Sequence, residues 1–173
     1  MIINRNFFNK INPTRGGRMK KTILALLTLT LLAFGCGENK TDSPAGTSGK
    51  EKLAQKFGLT LFEYENGVGP IKEKLQLGEV DPNKATLGEK IFTEKCTQCH
   101  KLDERYTGPA LRDVTTRRTP EYILNQILNP EEMTKKHPEA KKLLATYATQ
   151  MTFQNVTVDD AKAILEYLRS VNK

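Results

Sequence analysis

Two of the three cysteines and one of the two histidines in this 173-residue chain lie within five consecutive positions, in the stretch FTEKCTQCHKLD. They are Cys96, Cys99 and His100. Thiols and imidazoles both bind metals, and paired thiols also undergo redox chemistry. The grouping therefore indicates a redox dithiol, a structural zinc site, a local disulfide or the attachment site of a covalent cofactor.

Three of these four uses fit the sequence poorly. A redox C-x-x-C is expected among alternating strands and helices, which this region lacks. A structural zinc needs four ligands, and only His137 remains to add to this group. A disulfide between Cys96 and Cys99 would close too small a loop to stabilise much.

The remaining interpretation of C-x-x-C-H is covalent haem attachment. Two thiols three residues apart at the end of a helix face the same way and can add across the two vinyl groups of a haem. The adjacent histidine can then bind the iron from below the ring. Covalent attachment of this kind takes place outside the cytoplasm, so the hypothesis requires an exported protein.

An export signal is visible near the start of the chain. Lys20 and Lys21 precede an apolar run over residues 22–34, which fits a secretory signal and is too short to span a bilayer. Met19 immediately precedes these lysines, so we expect translation to start there and residues 1–18 not to be translated. We expect residues 1–36 to form the leader segment.

The cysteine that follows the apolar run predicts a lipid anchor. The stretch LLAFGC resembles the lipobox of bacterial lipoproteins, in which the cysteine thiol is acylated and becomes the new N-terminus. Ala33 and Phe34 depart from the usual residues, and ordinary cleavage nearby is the alternative. We expect Cys36 to be lipidated, which would hold the protein stably at a membrane.

Charge and composition differ between the segments of the chain. Six of the 27 basic residues lie within residues 1–36, which leaves 21 basic against 20 acidic residues and gives no electrostatic support for nucleic-acid binding. Residues 37–50 are rich in Gly, Ser and Thr and are predicted to be a flexible linker. Residues 51–82 are predicted to form an N-terminal extension with a short helix and irregular chain, and residues 83–173 to form the main domain.

The main domain is predicted to be all-α. Helical spacing of apolar residues begins after Asn83, which is a plausible N-cap, and again after Thr119, with Pro120 in the first turn. A third helix is expected in HPEAKKLLATYATQ and a fourth in VTVDDAKAILEYLRSV, capped by Thr157.

These features resemble a class I cytochrome c, over residues 83–172. The resemblance rests on a helix ending in CTQCH, the GPAL turn after it and a C-terminal helix containing ILEYLR. The longer stretch 51–172 is similar to single-haem cytochromes c of Bacteroidetes-type bacteria, including lipoproteins. The resemblance implies three to five helices around one covalently bound haem c, preceded by an irregular extension.

The resemblance also implies roles for individual residues. His100 would be the proximal iron ligand, and the carbonyl of Pro109 would accept a hydrogen bond from its Nδ1. Gly88 would let the first and last helices cross closely, with Phe92 and Tyr167 packed at the crossing. The haem propionates would need donors, and the candidates are Arg117, Arg118, Tyr106 and Tyr122.

Three residues are candidates for the sixth iron ligand. The family places its methionine shortly before the last helix, which favours Met151, although Thr152 stands where a proline is usual. Met133 is expected to pack against the core instead. His137, among lysines, is expected to be solvated.

A haem iron with two protein ligands transfers electrons and has no open site, so the predicted function is electron transfer and not catalysis. The expected partners are a respiratory donor and a terminal oxidase or reductase, met by a monomer on the periplasmic side of a bacterial membrane. The alternatives are a haem enzyme or sensor with an exchangeable sixth ligand, and a fixed subunit of a respiratory complex.

Overall fold

The computed structural model describes residues 45–172, and these residues form eight helices and no strand. The leader, Cys36 and residues 37–44 of the predicted linker lie outside the described residues. Within the described part, no helix is long and apolar enough to cross a membrane. The helices are α1 (Ala45–Lys56), α2 (Leu61–Asn66), α3 (Pro82–Lys95), α4 (Val114–Arg117), α5 (Pro120–Leu128), α6 (Pro130–Lys136), α7 (Pro138–Tyr147) and α8 (Val158–Val171).

Side-chain caps fix where the main helices begin. Thr119 accepts from the backbone N–H of Tyr122 at the start of α5. Thr157 and Asp160 form a reciprocal capping box at the start of α8, as Thr157 predicts. The prediction for α3 was wrong by two residues, because Asp81 and not Asn83 is its N-cap.

Helices α3 and α8 cross at close range, and one glycine makes this crossing possible. A Cβ on Gly88 would lie 1.9 Å from the carbonyl oxygen of Ala163, which no side chain tolerates. Beside the crossing, the rings of Phe92 and Tyr167 pack with their centroids 5.4 Å apart. The end of α3, which carries the C-x-x-C-H motif, is therefore held rigidly against α8.

Helix α5 completes the main core by packing against α8. Its buried side chains Ile123 and Leu124 join a cluster that includes Ile164, Leu165 and Leu168. Burying large aliphatic side chains of this kind contributes about 1.5–3 kcal/mol each. The short helices α4 and α6, which the sequence pattern did not predict, connect these elements.

The N-terminal extension contains two helices and then irregular chain. Helix α1 begins at Ala45, inside the segment 37–50 that was expected to be a flexible linker, so that expectation fails for residues 45–50. Ala54 on α1 is buried, and Lys50 on the same helix pairs with Glu65 on α2 at 2.8 Å. Residues 67–81 then run without regular structure to the start of α3.

Side chains of α5 hold this irregular chain. The amide of Asn125, fully buried, donates to the carbonyls of Asn66, Gly67 and Ile71 and accepts from the N–H of Ile71. A Cβ on Gly69 would lie 2.3 Å from the Asn125 amide oxygen, so the glycine permits the close approach. The extension is therefore part of the folded domain.

A second small core lies beneath the extension. It contains Leu59, Val68, Tyr122, Met133 and Ala140. The thioether of Met133 is fully buried, and its sulfur lies 3.0 Å from the N–H of Val68. Met133 therefore packs in a core, as the sequence analysis expected.

His137 lies beside this second core, and the prediction that it is solvated was wrong. Its side chain is only 2% exposed. Its Nδ1 accepts from the N–H of Glu139 as the N-cap of α7, and its Nε2 lies 3.0 Å from the carbonyl of Tyr64. These partners give a neutral ring with its proton on Nε2.

Candidate functional site

The C-x-x-C-H motif forms a tight turn at the end of α3. Cys96 is the C-cap of that helix, and its carbonyl accepts from the N–H groups of Cys99 and His100 at 3.1 and 2.9 Å. Cys96 is half-buried and Cys99 is exposed, and the two thiols form no disulfide. Burial raises the pKa of the Cys96 thiol to about 11, so it is a neutral group here.

The imidazole of His100 is oriented by the GPAL turn. Its Nδ1 lies 3.1 Å from the carbonyl oxygen of Pro109, which makes Nδ1–H the donor and leaves Nε2 with a free lone pair. Burial lowers the pKa of His100, and the hydrogen bond to Pro109 opposes that shift. A neutral imidazole with a free Nε2 is the form that binds a metal.

Gly108 fits under the same ring. A Cβ at this position would lie 2.4 Å from Cε1 of His100. Any larger residue would displace the imidazole. This glycine belongs to the GPAL turn, but the sequence alone did not indicate that it makes room for the ring.

The two thiols and His100 line a cavity of about 390 Å³. Most of the area of its wall is apolar, and the aliphatic part comes from four helices and the chain between them. These aliphatic residues are Leu111, Val114, Ile123, Ile127, Leu143, Leu144, Ile164 and Leu168. An apolar cavity with a few polar groups suits a large flat organic cofactor.

Met151 lines the same cavity, and the two other candidate ligands do not. It lies in the irregular segment 148–157 before α8, half-buried. The amide nitrogen of Gln126 on α5 lies 3.7 Å from the Met151 sulfur. Met133 and His137 instead belong to or border the second core.

Two polar atoms in the cavity wall are buried without a hydrogen-bond partner. They are the hydroxyl of Tyr122 and the amide oxygen of Gln126. Arg117 and Arg118 also line the cavity, and the Arg118 guanidinium lies 4.9 Å from the centre of the Tyr122 ring. Burial raises the pKa of Tyr122 to about 12, so it is a neutral donor.

These features fit a haem. Buried polar groups are normally paired, so the unpartnered donor Tyr122 and the nearby cations suit the carboxylates of a bound group. The thiols suit its attachment and His100 suits its iron. Tyr106, the fourth candidate for the carboxylates, is 55% exposed and lies outside the cavity wall.

Several residues of the site carry no recognisable sequence pattern. Gln126 lies among the apolar positions of α5, and nothing in its neighbours indicates a contact with a residue 25 positions away. The pairing of Arg118 with Glu139 at 2.8 Å, which lowers the pKa of that carboxyl, is likewise a long-range contact.

Comparisons with known proteins agree with this geometry. The family model for cytochrome c matches residues 85–172. The solved cytochrome c of Rhodothermus marinus is 49% identical, covers 63% of this chain and 94% of its own, and superposes with a TM-score of 0.60. An engineered variant of it, Rma TDE, is 48% identical over 63% of this chain and 95% of its own, also with a TM-score of 0.60.

A second structure of Rma TDE is bound to a carbene intermediate. It is 48% identical, covers 63% of this chain and 95% of its own, and has a TM-score of 0.58. A search of curated proteins gave no match. The chain belongs to the cytochrome c family, whose domain carries a covalently bound c-type haem and transfers electrons.

Proposed function

We propose that this chain is a membrane-tethered, single-haem electron carrier whose iron is bound by His100 and Met151. Cys96 and Cys99 hold the haem through thioether bonds. The observation that supports the ligand assignment is that His100 and Met151 line one cavity, whereas Met133 and His137 are buried elsewhere.

A c-type haem, when bound, supplies reversible one-electron chemistry at its iron. The thiols of Cys96 and Cys99 would each add across one vinyl group: sulfur forms the new carbon–sulfur bond, the thiol hydrogen goes to the other vinyl carbon, and the carbon–carbon double bond becomes a single bond. His100 presents its Nε2 lone pair while Pro109 holds its Nδ1–H. The soft thioether of Met151 favours ferrous iron and so raises the potential relative to a second histidine.

The residues around these ligands disfavour reactions other than electron transfer at the iron. The apolar part of the cavity wall would limit the contact of a bound haem with water, which favours the less charged ferrous state. The Gln126 amide beside the Met151 sulfur gives this side chain a polar contact. If His100 and Met151 both bind the iron, no position on it would remain for a substrate.

Carbon monoxide distinguishes this carrier from an enzyme or sensor. Carbon monoxide binds ferrous haem only where an axial position is open or easily opened. The proposal predicts that the visible spectrum of the reduced protein stays unchanged under carbon monoxide. Rapid formation of a carbonyl spectrum would favour an exchangeable sixth ligand.

The thioether assignment has its own test. Acid–acetone extraction removes a non-covalent haem and leaves a covalent one on the polypeptide. We expect the colour to remain with the chain, and to leave it in a Cys96→Ala, Cys99→Ala double variant if any haem is retained. Extraction of the colour from the unmutated protein would contradict the attachment.

The tether rests on the sequence before the described residues. A lipidated Cys36 joined to helix α1 by eight residues would keep the domain close to a membrane on the periplasmic side, where respiratory donors and terminal oxidases or reductases act. Intact mass of the purified protein should show acyl groups on a chain that begins at Cys36. An unmodified N-terminus would leave a carrier without this anchor.

A further inference from the structure

Arg105 joins two parts of the cavity wall that are far apart in sequence. It lies between His100 and the GPAL turn, and its side chain reaches the end of helix α7. Its Nη2 donates to the carbonyl of Thr146 at 3.1 Å. Its guanidinium carbon lies 4.5 Å from the centre of the Tyr147 ring, and Tyr147 itself lines the cavity.

The end of α7 is capped by the backbone N–H of Ala148, which donates to the carbonyl of Leu144 at 2.8 Å, but the helix supplies no positive charge there. The last carbonyls of a helix have no partner within it and carry partial negative charge. Helix α7 has no basic residue in its own last turn. Arg105 supplies both a donor to one of these carbonyls and the positive charge, from outside the helix.

The chain that leaves α7 at this point carries the proposed sixth ligand. Ala148 adopts a left-handed conformation with φ of 52°, and Met151 follows three residues later. Asn155, near the other end of the segment, also has φ of 52°. Left-handed non-glycine residues cost free energy, so the surrounding contacts must hold this segment in place.

The polar contacts that join residues 149–156 to other elements are long. The N–H of Phe153 lies 3.5 Å from a Glu131 carboxylate oxygen, and the Lys95 ammonium lies 3.3 Å from the carbonyl of Gln154. The contact of Arg105 with the end of α7 fixes where the segment begins. It is therefore well placed to influence whether Met151 stays on the iron.

We propose that Arg105 is a positioning residue for the sixth iron ligand. It fastens the end of α7 to the segment that follows His100, and it thereby lowers the population of an open state in which Met151 has left the iron. This inference rests on the proposed ligand pair of His100 and Met151. No contact between Arg105 and the iron site itself is required.

The test is the affinity of the ferric holoprotein for azide in the variant Arg105→Gln. Azide binds only the open state, so its apparent affinity rises in proportion to the open population. Loss of a charged helix-end contact and a cation–π contact should raise that population, and hence the azide affinity, about tenfold. The weak far-red absorption band of a methionine–ferric iron bond should also lose intensity relative to the unmutated protein.

Arg112→Gln is the matched control. Arg112 also follows His100, pairs with Asp103 and donates to the carbonyl of Val171 at the end of α8 at 3.1 Å. Helix α8 does not lead into the Met151 segment, so this variant should lose some stability and keep its azide affinity.

Each outcome decides the proposal. Tighter azide binding in Arg105→Gln alone supports it. Equal azide affinity in both variants and the unmutated protein, with the far-red band present, overturns the role of Arg105 and leaves the ligand pair standing. A similar increase in both variants shows general destabilisation and also overturns it. Absence of the band from the unmutated protein overturns the ligand pair, and this inference with it.

Discussion

Replacing Asn125 by alanine should show that the N-terminal extension is part of the cooperative fold. The Asn125 side chain is fully buried on α5 and makes four hydrogen bonds with backbone groups of the extension, between 2.9 and 3.2 Å long. Three carbonyls share its two amide hydrogens. The fourth bond is donated by the N–H of Ile71 to its oxygen.

The expected loss of stability in Asn125→Ala follows from these hydrogen bonds. A hydrogen bond contributes about 1 kcal/mol net, and a buried group left without its partner costs at least as much. We therefore expect Asn125→Ala to lower the free energy of unfolding by about 3–4 kcal/mol. Asn125→Asp keeps the shape but sets a carboxylate against three carbonyls, so its cost at neutral pH should be at least as large.

Denaturant unfolding of the holoprotein, followed by the helical circular dichroism signal, measures these costs. Asn129→Ala is the control, because its amide reaches the carbonyl of Val68 only at 3.5 Å and it should cost about 1 kcal/mol or less. A cost for Asn125→Ala no larger than that of the control would refute the reasoning. So would an Asn125→Asp variant as stable as the unmutated protein.

Three further predictions concern single positions. Gly88→Ala should destabilise the α3–α8 crossing by about 3 kcal/mol or more in thermal unfolding, whereas Gly78→Ala, with open space around it, should be nearly neutral. Gly108→Ala should displace the His100 ring and alter the visible haem spectrum, and an unchanged spectrum would contradict the geometry. Burial lowers the pKa of His137, so the unfolded chain binds a proton at this residue more readily than the folded chain does. The free energy of unfolding should therefore be level above about pH 6.5 and fall as the pH drops below it. The variant His137→Gln should lose that dependence, and an identical pH profile would count against the assignment.

The surroundings of His137 make this pH prediction specific. The titratable and charged groups that face it from its neighbours are Tyr64 on α2, Arg118 before α5, Tyr122 on α5 and Glu139 on α7. Arg118 disfavours a second positive charge and Glu139 favours one, but desolvation is the largest influence on the pKa.

Local patterns in the sequence predicted much of the fold. Thr119 with Pro120, and Thr157 with two acids in the next turn, indicate helix starts by chemistry that acts within four residues. The apolar stripes of α5 and α8 likewise predict their buried faces. The resemblance to class I cytochromes c supplied the crossing at Gly88, which local patterns alone do not show.

The parts that sequence patterns missed depend on long-range contacts. Asn125 reaches partners more than 50 residues away, and a single asparagine in an apolar stripe does not indicate them. His137 stands among lysines in the sequence, yet it is buried because it caps α7 and reaches the carbonyl of Tyr64. The error at Asn83 has a simpler cause, since Asp81 before Pro82 is an equally good cap.

Sequence patterns likewise indicated only the local part of the functional site. The C-x-x-C-H motif is local, so it could be recognised from the sequence. The choice of Met151 over Met133 came from the order of elements in the family, and the cavity that both His100 and Met151 line is the structural observation that supports it. Gln126 and Arg105 act across 25 and 41 residues, which no local pattern indicates.

The most direct test of the account is the far-red absorption band of the ferric protein, compared between the unmutated chain, Met151→Ala and Met133→Ala. If Met151 is the ligand, the band is present in the unmutated protein and is abolished in Met151→Ala, whose iron also becomes open to carbon monoxide. The band persists in Met133→Ala, which loses only stability. A band that is lost in Met133→Ala and retained in Met151→Ala would contradict the ligand assignment. Absence of the band from the unmutated protein would contradict a carrier with two protein ligands.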